Sequence, residues 1–340
     1  MTKFSFRAYE SGFAAEVAAL MASERRARRA RCPLLPAGLD DEGAAAKLLA
    51  GAGEGVLALD DEGRPRGFLF AERIEDPTWG SRIEVHADRW AFPYLREGGE
   101  DASPPGAAVA ALARLYARGF ARVSKGELEH RVHCTANDRA SLEAWFRLGF
   151  GMEQAYAAAR LDRLAAGIDA EVSRTVPGLE IRAARPGDED ALESLSPIIA
   201  LAQAAAPTWA GAPPEYLAGL REGFRGLVAE EGAIVLLAFR EGRAVGYQAW
   251  FPASADPVDG AAEEAVELAV GGTVLEERGR GIGLALTARG IAAARERGYR
   301  SCFIDWRTTN PLSSSFWPAR GFEPHLYRLS RRLDPLSARA

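Results

Sequence analysis

Two groups of residues with chemical potential stand close together in the second half of the chain. Glu267 is the one ionisable side chain in the apolar run Val266 to Gly272, VELAVGG. Apolar surroundings disfavour the charged form of a carboxylate, which raises its pKa towards the range useful to a general base. Gly271 and Gly272 interrupt the same strand-like run. Missing side chains there predict a bulge near Gly271, and a main-chain amide at a bulge can polarise a reacting carbonyl. Beyond them, Arg278 to Ala285 reads RGRGIGLA and leads into helical periodicity. Main-chain amides from Gly279 through Arg280, Gly281, Ile282 and Gly283, aided by a helix dipole and the charges of Arg278 and Arg280, form a cradle for a phosphate or pyrophosphate.

Two other phosphate motifs do not fit. A dinucleotide fingerprint starting at Gly279 or Gly281 needs glycine at 284 or 286, and both are leucine. A P-loop needs a Gly-Lys-Ser/Thr that the chain lacks. What remains is Arg278-x-x-Gly281-x-Gly283 between a strand and a helix.

The elements that must hold these residues recur. FSFRAYESGFAAEVAALM near the start and LEIRAARPGDEDALESLSPII from Leu179 each read as strand then helix. Gly55 to Glu72 and Ala233 to Phe251 each read as a hairpin around a charged, glycine-containing turn. Arg7 pairs with Arg182, Asn137 with Asn310 and Phe150 with Phe322, and the separation within each pair is nearly the same. A nearly constant offset predicts a duplication. The small, polar stretch from Ala165 to Gly178 reads as the linker. Each copy is then an α/β or α+β domain with a mixed sheet.

In order and spacing, the series strand, Arg278-x-x-Gly281-x-Gly283, helix, strand, Asn310, helix, Gly321-Phe322 resembles the GNAT superfamily of acetyl-CoA-dependent N-acetyltransferases. The likeness is strong over about residues 179 to 334 and rests on topological landmarks alone over about 1 to 163. It implies two tandem GNAT-like domains, each a mixed, mostly antiparallel sheet flanked by helices. Their expected bounds are 1–164 without a coenzyme loop, a linker at 165–178, and 179–340 as the acetyl-CoA-binding catalytic domain. It also implies that the loop amides hold the coenzyme A pyrophosphate and that the backbone around Thr273 and Val274 pairs with the pantetheine arm. The following strand splays away, so that the thioester lies between the two. Asn310 matches an asparagine that contacts the coenzyme or orders the site wall. Glu267 precedes Arg278 at the spacing of the general base in some members. Trp317 takes the place, four residues before the Gly-Phe pair, where many members carry a tyrosine as general acid. Its indole N–H can donate a hydrogen bond towards the coenzyme but cannot deliver a proton. Solvent, a serine of Ser313 to Ser315, or Tyr327 then remains to protonate the thiolate.

In the first copy, GGEDASPPG from Gly98 to Gly106 stands where the glycine loop would be. Pro104 and Pro105 contribute no N–H, and Glu100 and Asp101 bring negative charge. Only the second copy is expected to hold acetyl-CoA. The reaction expected is acetyl transfer to a primary amine of a small molecule or peptide. A non-catalytic acyl-CoA sensor or interaction protein is the alternative. The likeness extends to tandem GNAT proteins, in which the two copies build a pseudo-dimer within one chain, itself a monomer or homodimer.

Composition agrees with a protein of this kind. The chain has 340 residues, 48% hydrophobic and 26% charged, with a net charge of −5, giving no global attraction to nucleic acid. No long apolar run predicts a membrane span, and the expected location is the cytoplasm. Cys32, Cys134 and Cys302 are odd in number and scattered, and the histidines at 86, 130, 133 and 325 show no metal spacing, so neither disulfides nor a metal is expected. The arginine-rich run Ser23 to Arg31 reads as a solvated helix face.

Overall fold

The computed structural model describes residues 3–36, 40–97, 99, 102–172, 176–253 and 264–335. The first series of elements is β1 (Ser5–Ala8), α1 (Ala14–Arg31), α2 (Glu42–Ala50), β2 (Val56–Leu59), β3 (Pro65–Leu69), β4 (Glu72–Ile74), β5 (Arg82–Val85), β6 (Trp90–Ala91), α3 (Gly106–Val123), β7 (Glu129–Thr135), α4 (Arg139–Arg147) and β8 (Gly151–Arg160). After α5 (Leu161–Val172) a second series follows. It comprises β9 (Leu179–Ala183), α6 (Glu189–Leu195), α7 (Pro197–Ala204), α8 (Pro214–Gly226), β10 (Ile234–Arg240), β11 (Arg243–Pro252), β12 (Ala265–Thr273), α9 (Ile282–Glu296), β13 (Ser301–Arg307), α10 (Pro311–Phe316) and β14 (Glu323–Arg332).

The chain forms two compact units. One gathers Met1–Tyr156 and Pro324–Ala340, the other Ala157–Ala255 and Ala261–Glu323. In the first unit β1, β2, β3 and β6 are neighbours in that order, and β5 runs parallel to β7, which is antiparallel to β14. Its core is aromatic: Trp145 is fully buried and meets Trp90, Tyr116 and Phe150 edge to face at 5.0 to 5.8 Å. In the second unit the order runs β13, β12, β11, β10, β9. Leu192, Leu195 and Phe224 of the helices pack there on Val235, Leu237, Tyr247 and Ala249 of β10 and β11.

Both expected hairpins form, as β2–β3 and β10–β11. Three features depart from the sequence reading. The expected linker at 165–178 is helical over 165–172, because α5 begins at Leu161; a window opening at Ala165 hides the i, i+3, i+7 pattern of Leu161, Leu164 and Ile168, all buried. Strand β14, the last of the second copy, belongs to the first unit, and the residues of β8 from Ala157 onward belong to the second. The arginine run of α1 is only partly solvated: Arg25 and Arg28 turn inward onto buried Asp88, at 3.3 and 3.1 Å.

The duplication is visible in the backbone. Strands β7 and β13 are equally long, and their starts are separated by the same offset as the two Gly-Phe pairs. Asp138 caps α4 and Asn310 caps α10, once more at that offset. The structural counterpart of Asn310 is therefore Asp138, one residue after the Asn137 that the sequence landmarks pair with it.

Candidate active site

Strand β12 carries Glu267, Gly271, Gly272 and Thr273 and determines their geometry. On one side it is antiparallel to β11, with Gly246 opposite Thr273, Tyr247 opposite Gly272, Gln248 opposite Gly271 and Ala249 opposite Val270. The next rung joins Trp250 to Leu268, so Ala269 is the residue passed over. The break in register thus sits at Ala269 and not at Gly271. The two glycines serve close packing instead: a Cβ on Gly272 would lie 2.8 Å from Ile198 Cγ2 of α7, and one on Gly271 would lie 3.0 Å from Gln248 Cγ.

On its other side β12 is parallel to β13 only over Ala265–Leu268, opposite Ser301–Ile304. Both strands continue, β12 to Thr273 and β13 to Arg307, without further pairing to each other. Two strand edges therefore open one rung after Glu267, which stands opposite Phe303. Glu267 is half-buried, and its pKa is raised first by burial and then by the negative charge of Asp305. Asp305 is two residues beyond Phe303 and so on the same face of β13. Sequence reasoning passed over it, although it is the only acid in SCFIDWR. Of the other nearby acids, Glu264 is paired with Arg300 at 2.7 Å, and Glu263 lies outside the described residues.

At the far end of β12 the chain turns through the glycine loop. Gly279 and Gly281 have φ of +75° and +84°, a region costly for residues with a Cβ, and Gly281 is the N-cap of α9. Ala285 N donates to Gly281 O at 3.0 Å, the first bond of the helix. The amides of Ile282, Gly283 and Leu284 precede any such bond and point out of its N-terminus. Beside Gly279 and Gly283 there is open space; a Cβ at either would meet nothing within 4 Å. Arg278 folds back, its Nε donating to Thr273 O at 3.1 Å, while Val274 N donates to Val245 O at 2.9 Å. Arg280 is half-exposed and lies 3.5 Å from Glu277, whose charge is already met by Arg240 at 2.6 Å.

Asn310 accepts from Leu312 N and Ser313 N at 3.1 and 3.4 Å. Its side chain thus starts α10. Trp317 follows that helix and packs edge to face on Phe316 and Phe322, at 4.7 and 5.6 Å. Among the proton donors left open, Ser314 and Ser315 already donate to Thr308 O and Pro311 O. Tyr327 lies on β14 of the first unit, opposite Cys134, with its pKa raised by burial. In the first copy Pro105 caps α3, and Gly98, Glu100 and Asp101 lie outside the described residues.

No protein-family model and no curated protein matches the chain. Solved structures do. A GCN5-related N-acetyltransferase from Sphaerobacter thermophilus matches 97% of this chain and 95% of its own, at 16% identity and a TM-score of 0.52. A GCN5-related glucosamine N-acetyltransferase region of a fungal multi-domain GH3 beta-N-acetylglucosaminidase matches the same 97% at 16% identity and a TM-score of 0.50, over 38% of that longer chain. The chain has the GCN5-related N-acetyltransferase fold. It has it in tandem, as the recurring elements above require. Within this GCN5-related N-acetyltransferase fold the parted strands and the glycine loop both lie in the second unit. Among the described residues, no helix is long and apolar enough to cross a membrane.

Proposed function

We propose that the second unit binds acetyl-CoA and transfers its acetyl group to a primary amine. The observation that carries this reading is the parting of β12 and β13 one rung after Glu267, on a strand that leads, through a short 3-10 turn at Leu275–Glu277, to left-handed glycines capping α9. Arg280 and the amides of Gly279, Gly281, Ile282 and Gly283 take the pyrophosphate, and Arg278 braces the turn through Thr273. The free edge of β12 towards Thr273 and Val274 receives the pantetheine arm. Asn310 and Trp317 line the wall on the β13 side.

The thioester then lies in the opening beside Glu267. A neutral amine attacks the carbonyl carbon, and the oxyanion draws on a main-chain amide where β12 breaks register, at Ala269 and on towards Gly271. Glu267 takes the amine proton, with a pKa raised in the direction a base needs. The C–S bond breaks, the amide is released, and the thiolate, whose conjugate acid has an ordinary pKa of about 8.5, leaves as an anion and is protonated by solvent. A second reading, coenzyme binding without turnover, is favoured by Trp317, which cannot supply a proton.

Incubating the protein with acetyl-CoA and a library of primary amines, and following free thiol, separates the two. Amine-dependent thiol release is expected; coenzyme binding with no release from any amine would favour the sensor.

A further inference from the structure

The strand pairs of the two units can be compared rung by rung. In the second unit Val266, Glu267 and Leu268 of β12 face Cys302, Phe303 and Ile304 of β13. In the first unit Ile83, Glu84 and Val85 of β5 face His130, Arg131 and Val132 of β7, which precede Cys302, Phe303 and Ile304 by the same offset that separates the two Gly-Phe pairs. Glu84 therefore takes the slot of Glu267, His86 that of Ala269, and His133 that of Asp305. Where the second unit has a glutamate, a bulge and an aspartate, the first has a glutamate and two imidazoles.

We propose that Glu84, His86 and His133 form a divalent-metal site in the first unit, of the zinc class. One ligand atom from each lies within 4.8 Å of the others. Two imidazoles and a carboxylate form a donor set suited to Zn2+, which accepts nitrogen and oxygen in a four-coordinate site. Glu84 and His133 are buried, at 4% and 3% exposure. His133 Nε2 meets Glu84 Oε1 at 2.7 Å, while its Nδ1 is buried with no hydrogen-bond partner, so bonding within the protein uses one of its two nitrogens. The backbone fixes the residue as well, since Trp90 Nε1 donates to His133 O at 2.8 Å.

His86 forms the rim. Its side chain is 22% exposed, which leaves an entrance, and its Nε2 lies 2.6 Å from Glu72 Oε1, a carboxylate that orients the imidazole from outside the group. Arg82 and Arg328 lie close and oppose a cation, but each is already matched: Arg82 by Glu84 Oε2 at 2.7 Å and Asp76 at 3.4 Å, Arg328 by Glu153 at 2.9 Å. Arg82 thus leaves Glu84 Oε1 to the metal. A metal there would clip β5 to β7, a parallel pair held by only three rungs. The two histidines are far apart in the chain, so no spacing motif could reveal them; the expectation of no metal rests on the sequence neighbours of each histidine.

Full-length protein freed of metal by chelator is titrated with Zn2+ by calorimetry and with Co2+ by visible absorption, and melted with and without Zn2+. The expected result is one Zn2+ per chain, Co2+ ligand-field bands, and a Zn2+-dependent rise in melting temperature. His86→Ala, at the rim, and His133→Gln should each weaken Zn2+ about tenfold or more and remove the melting shift. Circular dichroism checks that the variants are folded. No saturable binding, or binding by folded His86→Ala as tight as by the parent, would overturn the site.

Discussion

Replacing Glu267 by glutamine should move activity and stability in opposite directions. The carboxyl group is half-buried and faces the charge of Asp305, and both raise its pKa above the ordinary glutamate value of about 4.3. A carboxyl whose folded pKa is raised contributes stability that is present below its unfolded pKa and is lost as pH rises through the folded one. As pH rises, ionisation of the parent's carboxyl is therefore opposed by its own fold. Glutamine keeps the shape and removes the charge, so the variant should melt at or above the parent temperature at pH 7 and lose part of the parent's fall in stability with rising pH. Turnover should fall by about 10²- to 10⁴-fold, the usual contribution of a general base, which is about 2.7 to 5.4 kcal/mol of transition-state stabilisation. Thiol release at saturating acetyl-CoA measures the rate, and differential scanning calorimetry across a pH series measures the stability. Unchanged turnover would remove Glu267 from the mechanism. Loss of activity together with a clear drop in melting temperature would assign it a structural role instead.

Asp305→Asn removes the charge that helps hold the Glu267 pKa up, so the acid limb of the rate profile should move to lower pH; a limb that stays in place would refute the coupling. Gly290→Ala on α9 would set a Cβ 2.3 Å from Cζ2 of buried Trp250. The helix-propensity gain of about 1 kcal/mol is outweighed by overpacking against a rigid indole, about 3 kcal/mol, and the denaturant midpoint should fall. Asp138→Ala removes the cap of α4, which accepts from Ser141 N at 3.1 Å and Ser141 Oγ at 2.8 Å; a loss of about 1 to 2 kcal/mol in chemical denaturation is expected.

Local patterns made much of this fold legible. The hairpins announce themselves by apolar runs around a charged turn, and the glycine loop by its position between a strand and a helix. Gly271 and Gly272 misled for a physical reason. Glycine in a strand marks either a bulge or a close approach, and only the register with β11 shows that the bulge fell on Ala269 while the glycines admit Ile198 and Gln248. Asp305 acts on Glu267 through the pairing of two strands, which sequence neighbours do not encode. The placement of β14 in the first unit depends on long-range pairing in the same way, through its register with β7.

One chain is expected to hold one coenzyme, in the second unit and on the glycine loop. Calorimetric titration of acetyl-CoA into the parent and into Gly281→Glu tests it most directly. Gly281 has φ of +84° at the N-cap of α9, and glutamate there would strain the turn, bring a side chain towards Val176, whose Cγ2 lies 3.5 Å from the added Cβ, and oppose a pyrophosphate with like charge. A stoichiometry of one is expected for the parent and no measurable binding for the variant. Two equivalent sites per chain, or undiminished binding by a folded Gly281→Glu protein, would contradict it.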